Sequence, residues 1–337
     1  MASRAPAWWQ GRGPVAVLLL PGMLLFAALA WLRRSLYRWG VLRVERLPVA
    51  VVVVGNIAVG GSGKTPVVAW LVERLRAEGH HPGIVSRGYG GTVDGVAVVP
   101  PMGDPDAFGD EPILLARLTG CPVAVGRDRP AAARELLRCH PECDVLIADD
   151  GMQHYRLGRD VEVAVVDEAI LGNRWLLPAG PLREPLSRLR TVDVVIAHGR
   201  FSAALQAASR GLPVFPMRLE GGRLRSVRNP AIEHDVSQLC GRPVHAVAGI
   251  GRPQRFFEQM TALGLDVVPH PFPDHHRFTA ADLAFAAGEP IVMTSKDAVK
   301  CAAFAPDECW EYPVHAQIGS GAAERIVEKL KNGPQAA

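Results

Sequence analysis

The stretch that decides the fold is Val51-Val-Val-Val-Gly-Asn-Ile-Ala-Val-Gly-Gly-Ser-Gly-Lys-Thr-Pro-Val-Val-Ala-Trp70. Its four leading valines, Val51 to Val54, are β-branched and apolar on both faces, as a strand buried inside a parallel sheet requires. Pro66 stands where the first turn of a helix tolerates a missing N–H. Between strand and helix, Val59-Gly-Gly-Ser-Gly-Lys-Thr65 reads as a phosphate loop. Its glycines let successive N–H groups and the helix N-terminus point at a polyphosphate; Lys64 adds a point charge, and the Thr65 hydroxyl suits Mg²⁺. Val59, Gly60, Gly61, Ser62, Gly63, Lys64 and Thr65 are therefore the expected contacts to a nucleoside triphosphate. Ala58 takes the place of the first glycine in the G-x-x-x-x-G-K-[ST] pattern, but Gly60, Gly61 and Gly63 still supply the turn.

The second signal lies downstream. Asp144-Val-Leu-Ile-Ala-Asp-Asp150 is a hydrophobic strand that ends in two acids, so Asp149 and Asp150 are expected to hold Mg²⁺ with Thr65 on its other side. Gly151-Met-Gln-His-Tyr155 then brings Gln153 and His154 to the same sheet edge. Further strands read at 82–86, 122–126, 161–167 and 192–197, with a helix over 67–78. Ser86-Arg-Gly-Tyr-Gly-Gly91 follows a strand at the carboxyl edge, where open parallel sheets bind ligands, so Arg87 and Tyr89 either meet a phosphate or sugar there or belong to a mobile loop. Asp110 and Glu111, before a helix beginning near Ile113, suit a helix cap; Asp110 is also a candidate for the carboxylate that takes a proton from an attacking hydroxyl. The proline-rich loop Leu176–Pro185 leaves Arg183 and Glu184 exposed at its end.

At 337 residues the chain can build two cores, and its net charge of +3 gives no reason to expect a nucleic-acid partner. Six scattered cysteines without a C-x-x-C pair indicate neither a disulfide framework nor a zinc ribbon; Cys139-His140-x-x-Cys143 lacks the second pair that a tetrahedral site needs. Near the N-terminus, Val15 to Leu32 is eighteen residues without a charge, followed by Arg33, Arg34, Arg38, Arg43 and Arg46. This reads as a membrane segment at the short end for a span, bent by Pro21-Gly22, so a helix embedded in one leaflet competes with a full crossing. A cleaved signal peptide is rejected because export would separate the phosphate loop from ATP. The arginines place the remainder on the cytoplasmic side.

Composition changes over Leu212 to Asn229, and a smaller α/β unit follows. It reads as strands at 244–249, 266–269 and 290–293, helices at 255–263 and from Thr279, and a loop at 294–297. Gly249-x-Gly251 is too short a signal for a second nucleotide site. Phe272-Pro-Asp-His-His-Arg-Phe278 carries two histidines on a loop that could reach the phosphoryl site if the two units close. The chain thus divides into a membrane-associated helix and basic flank (1–46), an α/β unit of P-loop NTPase type with a mainly parallel sheet and helices on both faces (47–215), and the smaller α/β unit (216–337). The tail beyond Asn332 is expected to be disordered.

Taken together the motifs resemble the tetraacyldisaccharide 4'-kinase family of lipid A biosynthesis. The resemblance runs through Gly55-Asn-Ile-Ala-Val-Gly-Gly-Ser-Gly-Lys-Thr-Pro66, Ser86–Gly91, Gly109-Asp-Glu-Pro112, Gly126-Arg-Asp-Arg129, Asp149-Asp-Gly-Met-Gln-His154, Leu177–Glu184, Ala248–Phe256, Phe272–His276 and Lys296–Cys301. It implies ATP- and Mg²⁺-dependent phosphorylation of the 4'-hydroxyl of an acylated glucosamine disaccharide 1-phosphate at the cytoplasmic face of the inner membrane. It also implies that Asp110 is the base, paired with His275, that Lys64 and Thr65 hold phosphates and Mg²⁺, and that Asp149 and Asp150 hold the metal. Arg87 would then contact the lipid's phosphate or sugar and Glu184 the metal or the substrate, and Tyr89, Gln153 and Arg183 are the further expected substrate contacts. The rival reading is a membrane-associated ATPase switch of the partitioning and targeting type; such proteins carry a lysine where this chain has Val59.

Overall fold

The computed structural model describes residues 6–101, 103–285 and 288–332. In chain order the first half contains α1 (Pro14–Leu18), α2 (Leu20–Arg38), β1 (Ala50–Gly55), α3 (Lys64–Ala77), β2 (Pro82–Ser86), β3 (Val96–Val98), α4 (Pro105–Phe108), α5 (Asp110–Thr119), β4 (Val123–Gly126), α6 (Arg129–Cys139), β5 (Val145–Asp149) and β6 (Val161–Asp167). The second half contains β7 (Val194–His198), α7 (Ala203–Ala208), β8 (Val214–Gly221), β9 (Leu224–Ser226), β10 (Glu233–His234), β11 (Pro243–Ala248), α8 (Pro253–Ala262), β12 (Asp266–Pro271), β13 (Ile291–Thr294), α9 (Ser295–Cys301), β14 (Cys309–Tyr312), β15 (Val314–Ile318) and α10 (Ala322–Lys331).

Nine strands form one sheet in the order β15-β8-β7-β6-β1-β5-β2-β4-β3, and six form a second, β10-β9-β14-β13-β11-β12. In the larger sheet every pair from β8 to β4 is parallel, and only the edge strands β15 and β3 run antiparallel. The valine run of β1 sits at the centre, between β5 and β6. Val52 and Val54 face α3 with Ile147, Val163 and the helix residues Val67, Leu71 and Leu75. Val51 and Val53 face the opposite side with Leu146, Ala148 and the α6 residues Ala132, Ala133 and Leu136. Burial on both faces leaves no position for a polar residue, and each fully buried valine contributes about 1.5–3 kcal/mol over leaving it in water. The expected α/β architecture, with a mainly parallel sheet covered on both faces, is the one found.

Several boundaries differ from those read in the sequence. Helix α3 starts at Lys64 rather than 67 because Gly63, at φ 87°, caps it and Pro66 costs nothing in a first turn. Gly109 likewise starts α5 at Asp110, so Asp110 is a helical residue. The loop read at 294–297 is the start of α9, because Thr294 accepts from the backbone N–H of Asp297 and provides an N-cap. The helix read from Thr279 is one 3-10 turn, Ala280–Leu283, closed by the reciprocal Thr279 and Asp282 cap.

The division at 216 also falls elsewhere. Strand β8 extends the larger sheet, the chain crosses to the smaller one through Gly222 and Arg223, and it returns after β14 through Pro313 alone. Strand β15 then pairs with β8, with Val314 opposite Gly221, and α10 buries Ala322, Ile326 and Val327 in the core of α3. The smaller unit is therefore the excursion from β9 to β14, and the chain's last elements belong to the larger sheet. The crossing is tight: a Cβ on Gly221 would lie 1.7 Å from Tyr312 Oη, so only glycine fits.

At the N-terminus, no helix among the described residues is long and apolar enough to cross a membrane. The uncharged run is split at Leu19, where α1 ends and α2 begins, and α2 carries its arginines inside the helix. It exposes Leu25, Leu29, Trp31 and Leu32. The segment is anchored to the body where the Trp8 and Trp9 indole N–H groups donate to the Pro178 carbonyl (3.3 and 3.0 Å). The tail expected to be disordered, 333–337, lies outside the described residues.

Candidate active site

The phosphate loop leaves the carboxyl end of β1 and is tied from below. Asn56 donates through Nδ2 to the Gly60 carbonyl (3.3 Å) and to Ser62 Oγ (3.2 Å). Gly60 and Gly63 take φ values of 121° and 87°, a region that costs glycine little. A Cβ on Gly63 would press on Met217 Cε at 3.0 Å and touch the His198 ring at 3.4 Å. Lys64 heads α3 and places Nζ 3.4 Å from Asp150 Oδ1.

Asp149 and Asp150 end β5, beside β1, where Val54 pairs with Asp149. Asp149 is buried; its Oδ2 accepts from Ser86 Oγ at 3.3 Å, and its Oδ1 has no partner. Burial, then the nearby charges of Glu111 and Asp150, push its pKa up to about 7. Burial acts the same way on Asp150, but Lys64 and Arg183 outweigh it and hold Asp150 below the ordinary carboxylate range; Arg183 donates to Asp150 Oδ2 at 3.1 Å. Asp150 adopts φ 48°, which turns its side chain towards these cations. Buried Arg129 donates to the carbonyls of Gly126 and Asp149 (both 3.1 Å) and so ties the ends of β4 and β5 together. Among the described residues no cluster of three or more His, Cys, Asp or Glu side chains stands ready to hold a metal by itself. Mg²⁺ bound to a nucleotide is shared between one or two carboxylates and the phosphates. The partnerless buried oxygen of Asp149 fits such a cation.

Across the cleft the two sheets meet. Asp110, buried at the start of α5, has Oδ2 3.1 Å from His275 Nδ1, which comes from the loop after β12. His275 has φ 57° and stacks edge-on against Tyr89, 5.1 Å between ring centres. Lys296, at the start of α9, lies 3.8 Å from Asp110 Oδ2, 3.2 Å from Glu111 Oε1, 3.4 Å from Asp274 Oδ1 and 3.4 Å from His275 Nε2. Burial raises Asp110, but the His275 hydrogen bond and the Lys296 charge outweigh it and lower its pKa. The hydrogen bond to Asp110 raises His275. Tyr89, Asp110, His275 and Lys300 line one cleft between the sheets.

The residues singled out in the sequence therefore divide. The phosphate loop, Asp149, Asp150 and Arg183 form one group, and Asp110, His275 and Tyr89 another. Arg87 is exposed on the loop after β2. Gln153 and Glu184 lie inward: Glu184 is buried, its Oε1 accepting from Gln153 (2.7 Å) and its Oε2 from Tyr155 (2.7 Å) and Arg188 (3.1 Å). Glu184 is thus engaged by protein groups rather than exposed as its loop suggested, because the chain folds that loop back onto the segment just after β1, where Arg183 N–H donates to Ile57 O at 2.8 Å. Sequence reasoning overlooked Lys296, Asn56 and Arg129. Lys296 falls in a stretch whose sequence reads as a loop, and nothing local signals that it meets Asp110, 186 positions away. The six cysteines are free.

A loop at the tip of a central parallel strand, an acidic tip on its neighbour and a carboxylate facing the gap define a phosphate-loop phosphotransferase fold. Residues 15–332 match the family Tetraacyldisaccharide-1-P 4'-kinase. The chain is 67% identical over 329 residues to the tetraacyldisaccharide 4'-kinase of Azoarcus sp. (strain BH72), covering 98% of this chain and 96% of that protein. It is 65% identical to that of Aromatoleum aromaticum, covering 99% of each. The structure of LpxK from Aquifex aeolicus in complex with ATP superposes with a TM-score of 0.79 at 30% identity, over 94% of this chain and 99% of that one. The chain belongs to the tetraacyldisaccharide 4'-kinase family.

Proposed function

We propose that this protein transfers the γ-phosphoryl group of ATP to the 4'-hydroxyl of a tetraacylated glucosamine disaccharide 1-phosphate, in lipid A biosynthesis at the cytoplasmic face of the inner membrane. The observation that carries this reading is the buried Asp110, bonded to His275 and open to the cleft that also borders Tyr89. Asp110, as carboxylate, accepts the hydrogen bond of the incoming hydroxyl and then its proton. His275 and Lys296 keep it ionised and aimed. These same partners make it a weak base, which suits a loose phosphoryl transition state that calls for positioning more than proton abstraction. The phosphate-loop N–H groups and Lys64 hold the polyphosphate.

Thr65, Asp149 and Asp150 are the residues that would hold Mg²⁺, which when bound neutralises charge on the β- and γ-phosphates. Asp150, drawn by Lys64 and Arg183, keeps Lys64 at the loop entrance. Tyr89 and Arg87 present a ring face and a cation to the sugar and its phosphate. The exposed leucines of α2 seat the protein on a leaflet, so acyl chains stay in lipid while the sugar rises to the sheet edge.

The test is incubation of the purified chain in detergent micelles with Mg²⁺ and γ-labelled ATP, with and without the acylated disaccharide 1-phosphate. Label is expected in a bisphosphorylated lipid. Hydrolysis that ignores the acceptor would point to the ATPase switch instead, and no turnover at all would remove both.

A further inference from the structure

Two sets of side-chain contacts from helix α2 to the body lead to one buried glutamate. Arg34 donates to Thr191 Oγ1 at 3.0 Å. Tyr37 lies 6.0 Å from the Tyr155 ring, and the Arg33 guanidinium lies over the same ring at 5.9 Å. Thr191 Oγ1 also accepts from Arg188 at 2.7 Å, and Tyr155 donates to Glu184 Oε2. Arg188 itself is 2% exposed. Its guanidinium spans three partners: Thr191, both oxygens of Glu162 at 2.6 Å, and Glu184 Oε2 at 3.1 Å.

From Glu184 the bonds continue inward. Its Oε1 accepts from Gln153 Nε2 at 2.7 Å, and the same amide nitrogen donates to the Asn56 carbonyl at 3.0 Å. Two oxygens facing one nitrogen fix which way that amide points. Asn56 in turn holds Gly60 O and Ser62 Oγ of the phosphate loop. Each donor along this path has an acceptor, although Asn56 Oδ1 at its inner end is buried without a partner; a displacement at one end leaves a buried donor unpaired unless the next link follows.

We propose that Arg188 is a positioning residue that carries the seating of helix α2 into the geometry of the phosphate loop, so that nucleotide affinity depends on how α2 is held. The proposal rests on the kinase reading for its purpose: a lipid kinase gains by ordering its nucleotide loop when its leaflet-facing helix is seated. A planar fork is needed to bridge Thr191, Glu162 and Glu184 at once, and an ammonium cannot provide it.

The test uses the full-length chain in detergent micelles, a fluorescent ATP analogue with Mg²⁺, and the variants R34Q, T191V, R34Q/T191V and R188K. The first changes a half-buried side chain and the second an exposed one, and neither belongs to the hydrophobic core. Each is expected to weaken nucleotide binding by roughly three- to tenfold, the net scale of one solvent-accessible hydrogen bond, with the KM for lipid unmoved. The double variant is expected to be no weaker than either single one, because both cut the same link. R188K keeps the charge but is expected to lose ~tenfold or more. Unchanged nucleotide affinity in R34Q and T191V overturns the relay even if R188K fails to fold. Full affinity in R188K overturns it too, since neutralisation alone would then suffice. A wild type that binds the analogue but phosphorylates no lipid refutes the kinase reading and leaves the relay standing; a wild type that binds no nucleotide refutes the relay.

Discussion

Asp110 is surrounded by groups that favour its charged form, and this has consequences at the scale of single residues. Asp110→Ala is expected to lower kcat by ~10² or more with little change in nucleotide affinity, the scale of losing a positioned acid or base; steady-state kinetics with a nucleotide-binding assay check this. The pH dependence has a definite sign. Asp110 is lowered from its ordinary 3.8, so its share of stability is present above that value and is lost as pH falls through the lowered pKa. His275 is raised from 6.5, so its share is complete below 6.5 and is lost as pH rises through the raised pKa. The pair therefore holds fully at least between 3.8 and 6.5. In His275→Ala the bond that lowers Asp110 is gone while its burial remains, so the acid limb of the kcat profile is expected to move to higher pH. A limb that stays in place would show that His275 does not govern Asp110.

At the scale of elements, the glycines around Asp110 let two loops touch backbone to backbone. A Cβ on Gly109 would lie 2.6 Å from the Tyr89 carbonyl, at a φ of 91°, and one on Gly91 would lie 2.5 Å from the Ala107 carbonyl. The strand-end loop and the start of α5 are thereby fixed to each other, which holds Tyr89 near His275. Gly109→Ala is expected to cost about 1–3 kcal/mol of stability and to lower kcat about tenfold, as seen by thermal denaturation and turnover. Helix α2 makes a separate prediction. Leu25 and Leu29 are 62% and 58% exposed, so Leu25→Ser/Leu29→Ser is expected to leave the melting temperature unchanged. Loss of two leucines' worth of burial in lipid should weaken vesicle co-sedimentation at least about tenfold. Undiminished sedimentation would take the leaflet contact away from this face.

The whole molecule is two sheets joined by the β8–β9 and β14–β15 crossings, with the site closed by residues from each. His275 and Lys296 come from the smaller unit to Asp110 and Glu111. On the other side of the phosphate loop, Arg252 and Arg255 reach buried Asp167 at 3.3 and 3.4 Å, and Arg255 lies 2.6 Å from His198 Nε2. Both arginines are partly exposed but Asp167 is buried, so removing them leaves a buried carboxylate without its cations. Arg252→Ala/Arg255→Ala is expected to reduce kcat about three- to tenfold, because the units then close less often on the correct geometry, and to lower stability by about 1–3 kcal/mol, because Asp167 stays buried without its cations. Equal kcat in variant and wild type would mean that closure does not need the clamp.

Local chemistry wrote the larger sheet, the phosphate loop and the acidic strand tip directly into the chain. An unbroken valine run, a glycine-rich turn and a hydrophobic strand ending in Asp149-Asp150 each report their surroundings through their own residues, since burial on two faces and a left-handed backbone restrict what can stand there. The return of β15 and α10 to the first sheet left no such mark: pairing between β8 and β15 links residues about a hundred positions apart, and any apolar strand could have taken that edge. Lys296 and Arg188 were legible only as charges. What they do follows from partners that the fold delivers from other elements, and a charge acquires a role only when burial fixes the groups it faces.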